Sequence, residues 1–143
     1  MSTINFNSIK LVKAGTISGS EKSTGGVLTT SDAYYSFGGS SDSWGLSLSP
    51  SDINTSTFGC VVSMKAVGFA TFNNTSRYLK ATNFGFVIPT GATIDGVLVE
   101  IEAKQDGGSA SVDHIRITVY YTETSSATIA GVQTMQGIQS ITL

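Results

Sequence analysis

Apolar and polar positions alternate most cleanly in the second half of the chain. Val97, Val99, Ile101 and Ala103 share one parity, and Glu100, Glu102 and Lys104 take the other. Period two is the signature of a strand with one buried face. Ile115, Ile117, Val119 and Tyr121 repeat it, with His114, Arg116 and Thr118 facing away, and residues 105–110 (QDGGSA) supply a hairpin turn between the two runs. Arg116 should therefore lie across from Glu100 or Glu102, a cross-strand ion pair worth at most about 1 kcal/mol. Upstream, Phe58 to Phe72 predicts a long strand or strand pair, with Cys60, Val62, Met64 and Ala66 on a buried face and Val61, Ser63 and Lys65 on a mixed one. Tyr78 to Ile88 predicts another strand, but Leu79 and Ala81 differ in parity from Phe84, Phe86 and Ile88, so a bulge near Asn83 is expected.

The two ends lack this regularity. Ile4, Phe6, Ile9, Leu11 and Val12 are apolar positions scattered among polar ones, followed by the Gly- and Ser-rich SGSEKSTGG. Residues 1–30 read as an extended N-terminal arm with one or two short strands, ordered by lying on a neighbouring molecule. At the other end Ile129, Val132, Met135, Ile138 and Ile141 recur every third residue. That spacing fits a short amphipathic helix or an extended segment docked on a partner, and Gly131 and Gly137 favour docking. The expected organisation is an arm (1–30), a β-sandwich domain (31–122) and a C-terminal tail (123–143) docking on a neighbour or a capsid. Ile4, Phe6, Ile9, Leu11, Ile129, Val132, Met135, Ile138 and Ile141 are then the expected assembly contacts.

Composition points the same way. Ser and Thr make up about a quarter of the chain, Gly contributes 16 residues and charged side chains only 13%, a mixture that suits strands and tight turns and disfavours helices. A net charge of −2 offers no basic stripe for a phosphate backbone, so no nucleic-acid partner is expected. No apolar run is long enough to cross a bilayer, so no membrane partner is expected either. The first residues lack the continuous apolar segment of a secretory signal, so synthesis in the host cytoplasm is expected.

Candidate chemistry is sparse. Cys60, the single cysteine, sits in an apolar run and reads as a small buried hydrophobe. His114 is the single histidine, and Asp113 beside it should point to the opposite face of its strand, which breaks a Ser-His-Asp reading. Glu100 and Glu102 share a face, the minimum for glycoside hydrolysis, but that face is solvated beside Arg116 and Lys104. Asp32, Asp42, Asp52 and Asp106 stand in loops without the order of a calcium loop, and SGSEKSTGG lacks the spacing of a phosphate-cradling loop. Ser51 or Asp52, after Pro50, is placed to cap a single helical turn. Tyr34, Tyr35, Phe37 and Trp44 either pin a Gly- and Ser-rich loop to the sheet or form a sugar-stacking platform, with Tyr34, Tyr35 and Trp44 as its faces. No catalytic residue, metal site or cofactor is assigned.

One stretch goes beyond generic β sequence. Trp44, then LSLSPSDINTS, then YLKATNFGFVIPTGATIDGVLVEIEA, then VDHIRITVYY resembles a jelly-roll-like β-sandwich module of tailed-phage virion proteins, over residues 32–121, with FGFVIPTGATIDG as its most specific part. The resemblance implies an all-β antiparallel sandwich, jelly-roll-like, without catalytic residues. It implies a building block of capsid decoration (cement) proteins, head fibres or tail fibres, often trimeric. Together with the short length and the two apolar-dotted ends, it predicts a non-enzymatic virion protein that self-associates, as a homotrimer, and binds the major capsid protein or other virion proteins. The alternative is a glycan-binding module of a phage fibre.

Overall fold

The computed structural model describes residues 3–67, 75–76, 78–106, 109–124 and 128–138. They form an antiparallel β-sandwich. One sheet contains β1 (Thr3–Lys13), β2 (Thr16–Ser18), β4 (Gly59–Val67) and β5 (Leu79–Thr82), in the order β2-β1-β4-β5. The other contains β3 (Ala33–Gly38), β6 (Thr93–Asp106), β7 (Ser109–Thr124) and β8 (Thr128–Ile138), in the order β3-β6-β7-β8. A single helical turn, α1 (Pro50–Ile53), connects β3 to β4. Its cap is Ser49, next to the expected positions, in a reciprocal capping box with Asp52, and its Ile53 is buried.

The core lies between the sheets. Val97, Val99, Ile101 and Ala103 of β6 and Ile115, Ile117 and Val119 of β7 line one side, as their alternation predicts. The opposing side contains Cys60, Val62 and Met64 of β4, and it also contains Ile4, Phe6, Ile9 and Leu11 of β1, each at most 2% exposed. The N-terminal segment is thus an inner strand of the sandwich, and the expected arm is corrected. The physical reason is a bulge: pairing with β4 shifts register between Phe6 and Ser8, so Ile4 and Phe6 (even) and Ile9 and Leu11 (odd) all point inward. Phe6 meets Tyr35 and Phe37 of β3 edge-to-face, with ring centroids 5.0 and 5.2 Å away, which ties the two sheets together.

β4 is buried on both faces from Gly59 to Met64, more completely than its mixed face predicts. β5 ends sooner than expected. Asn83 adopts a left-handed backbone (φ 62°), and the chain leaves the sheet there, so the change of parity marks a strand end. Residues 83–89 then run toward the other sheet, with Phe86 and Ile88 buried. The Gln133 side chain of β8 fastens them: Val87 N–H donates to Gln133 Oε1 (3.1 Å), and Gln133 Nε2 donates to Val87 O (2.6 Å). The C-terminal segment is correspondingly a full β-strand, paired with β7 from Thr124↔Thr128 to His114↔Ile138. In this strand the three-residue spacing sends Val132 to solvent and Met135 to the core, and Gly131 sits under the Tyr121 ring, where any Cβ would lie 2.3 Å from it.

Candidate functional site

Among the described residues, a gathering of chemically capable side chains lies on the outward face of the β3-β6-β7-β8 sheet. Register puts Tyr34 opposite Glu102, Ser36 opposite Glu100, Glu100 opposite Arg116 and Glu102 opposite His114. A second bulge shapes the group. Pairing of β6 with β7 shifts between Glu102 and Ala103, so Val112 and Ile115 both point inward. Asp113 and His114 both lie between them, on the outer side. Strict alternation had set these two on opposite faces; the bulge brings them together.

Carboxylate oxygens of Asp32, Glu102 and Asp113 lie within 4.8 Å of one another. Lys104 Nζ stands 3.4 Å from Asp32, and His114 Nδ1 is 3.7 Å from Glu102, sequestered and without a hydrogen-bond partner. Arg116 forms a two-pronged pair with Glu100, Nε to Oε1 and Nη2 to Oε2, both 2.9 Å, and its guanidinium covers the Tyr34 ring at 4.6 Å. The charges act on one another. A hydrogen bond with Asp32 raises the pKa of Asp113, helped by burial and by the charge of Asp32. Glu102 beside its hydroxyl raises that of Tyr34, and Glu100 raises that of Arg116.

Three convergent carboxylates are oxygen donors of the kind that suits a hard cation. Here Lys104 already supplies a positive charge to Asp32, and Arg116 supplies one to Glu100. The carboxylates lie on an open sheet face, and Glu100, half of the hydrolase pair, is committed to Arg116. A concavity of about 190 Å³ adjoins them at the β6-β7 hairpin, lined by Lys104, Asp106, Ser109, Ala110 and Ser111. Among the described residues its lining holds no histidine, cysteine or aromatic group.

The aromatic platform is not assembled. Trp44 is completely buried, donating its indole Nε1–H to Val97 O (2.9 Å), with Lys22 Nζ 5.6 Å from its ring centroid. Tyr35 packs inward on Phe6 and accepts a hydrogen bond from Thr29 N–H at its hydroxyl. Only Tyr34 of the three is exposed, and Arg116 occupies its face. These aromatics anchor the loop instead. Asp42 accepts from Trp44 N–H (2.8 Å) and pairs with Lys22 (2.6 Å), and that lysine holds its carboxyl below the ordinary range.

The expected assembly contacts divide. Ile4, Phe6, Ile9 and Leu11 are spent on the chain's own core and are inaccessible to a partner, which corrects their assignment. Val132 is 57% exposed and Met135 is half-buried against the core. The side chains of Ile129 and Ile138, and all of Ile141, lie outside the described residues. Cys60 is fully buried, and burial pushes its thiol up to about 12, which leaves it unreactive at neutral pH. Sequence parity missed Asp32 and Asp113 as neighbours of Glu102; the signal that locates Asp113 is the Val112-to-Ile115 spacing of three within an alternating strand, and the alternation carries none for Asp32. Comparison with protein-family models, curated proteins and solved structures finds no match to this chain.

Proposed function

We propose that the chain is a non-enzymatic structural protein of a bacteriophage virion, a capsid decoration or cement protein that self-associates and attaches to the capsid. The observation that carries this reading is the position of the stretch on which the resemblance rests. FGFVIPTGATIDG spans the segment that passes from one sheet to the other and opens β6: Phe86 and Ile88 fill the core, Ala92 N–H closes a turn onto Pro89 O (3.2 Å), and Gly91 (φ 87°) turns the chain into the strand. Its most specific residues therefore serve architecture.

The remaining chemistry supports a building block. The conspicuous ionic groups are paired with one another across a strand face, as in Glu100 with Arg116 and Asp32 with Lys104. Attachment through several weak contacts per copy, repeated over a lattice, gives tight binding without a deep pocket. A fibre-borne glycan module is disfavoured because Trp44 and Tyr35 are turned into the fold.

Deletion of the gene from the producing phage, followed by addition of the purified chain to the resulting particles, tests the reading. The expected result is particles that lack the chain, lose heat resistance, and recover both on addition. Particles whose composition and heat resistance are unchanged by the deletion would overturn it.

A further inference from the structure

β8 is an edge strand without the usual protections. It is eleven residues long, TIAGVQTMQGI, with no proline and no charged residue. Its inner edge pairs with β7, and among the described residues nothing pairs with its outer edge. Proteins commonly blunt such an edge with charge, proline, brevity or a covering segment. The edges of the other sheet show these devices. β2 has three residues, β5 has four including Lys80, and the stretch of β1 beyond β2 is covered by residues 22–28, through Lys22 N–H to Ile9 O, Phe6 N–H to Gly26 O and Leu28 N–H to Ile4 O.

A second observation converges on the same edge. The two most exposed large apolar side chains among the described residues are Val87 (74%) and Val132 (57%). Val132 belongs to β8, and the Val87 backbone is bonded to Gln133, the next residue along. Val132 and Val87 thus stand by a strand with whose outer edge nothing pairs among the described residues.

We infer that the outer edge of β8 is a pairing surface for β8 of a second copy of this chain, joining two sheets antiparallel about a two-fold axis. The second copy is the occupant because the strand is compatible with itself. Antiparallel pairing of a strand with its own copy sets each side chain near that of a symmetry-related residue, and like charges there would repel. β8 carries none. The inference deepens the self-association in the reading above and rests on it, and it specifies even-numbered assembly instead of the trimer that the resemblance implies.

The test uses the full-length chain and two kinds of variant. Val132→Cys and Thr134→Cys are placed singly on β8, and Val27→Cys, half-exposed beside β1, is the control. Cys60 is buried and stays silent. Mild oxidation is expected to give covalent dimers from a β8 position and not from position 27. Sedimentation of the doubly charged Val87→Lys/Val132→Lys chain is expected to show a dimer constant weakened by about tenfold or more, with the circular dichroism of the fold retained. A wild-type chain that sediments as a monomer at every concentration would overturn self-association and the edge pairing together. An oligomer that is insensitive to both lysines and yields no β8 cross-link would overturn the edge pairing alone.

Discussion

Trp44 donates its indole N–H to the carbonyl of Val97, 53 residues further on, and Gly38 lies beneath the contact. The same carbonyl accepts from Gly39 N–H at 3.1 Å, so it keeps a partner when the indole is removed. Trp44→Phe should therefore cost only about 1–2 kcal/mol, the net worth of one hydrogen bond and a small loss of packing. Gly38→Ala should cost more, about 3 kcal/mol, because its backbone is left-handed (φ 84°) and a Cβ would lie 2.3 Å from Val97 O. Urea unfolding of the two variants reads the order directly; a milder Gly38→Ala would contradict the packing described.

Gln105 tests the join between the strand ends. Its side chain, 8% exposed, accepts from Ile4 N–H (2.9 Å) and donates to Leu28 O. Gln105→Met keeps the length but leaves a buried donor and a buried acceptor alone, each costing about 1–3 kcal/mol. The expected loss is about 2–6 kcal/mol in chemical denaturation, against less than about 0.5 for an exposed control such as Thr16→Ala.

Removal of residues 1–13 separates an arm from a core strand. Ile4, Phe6, Ile9 and Leu11 each contribute about 1.5–3 kcal/mol by burial, so their combined loss matches the entire stability of an ordinary domain. The truncated chain should show no cooperative thermal transition. A sharp transition near that of the full chain would restore the arm.

The Asp32–Asp113 contact gives a pH signature. A carboxyl whose folded pKa is raised holds its proton more tightly in the fold than in the unfolded chain. The contribution from Asp113 is thus fully present below its unfolded value, 3.8, and is lost as pH rises through the raised folded value. Relative to Asp113→Asn, the wild type should lose melting temperature as pH rises between about 3 and 7. Parallel curves would show that the two carboxyls do not share a proton.

Much of this fold is legible as simple alternation, and the departures from it have a common cause. β6 and β7 read correctly because Val97 to Ala103 and Ile115 to Val119 contain no extra residue. β1 escaped because one residue inserted between Phe6 and Ile9 breaks the parity of its inward set. The outer-face cluster escaped for the same reason, since the extra residue before His114 turns Asp113 to the side of Glu102. β8 was obscured differently: Gly131 is chosen for the Tyr121 ring above it, so a glycine that weakens a helix is here a packing residue. The structural role of Trp44 was readable as an anchor in a glycine-rich loop, whereas its partner, a main-chain carbonyl, has no signature in sequence.

Quantitative mass spectrometry of purified phage particles from the producing strain tests the proposed function most directly. The account predicts the chain in intact particles, in amounts comparable with other structural proteins and retained through density-gradient purification. Its presence in the producing cells together with its absence from purified particles would contradict the virion role.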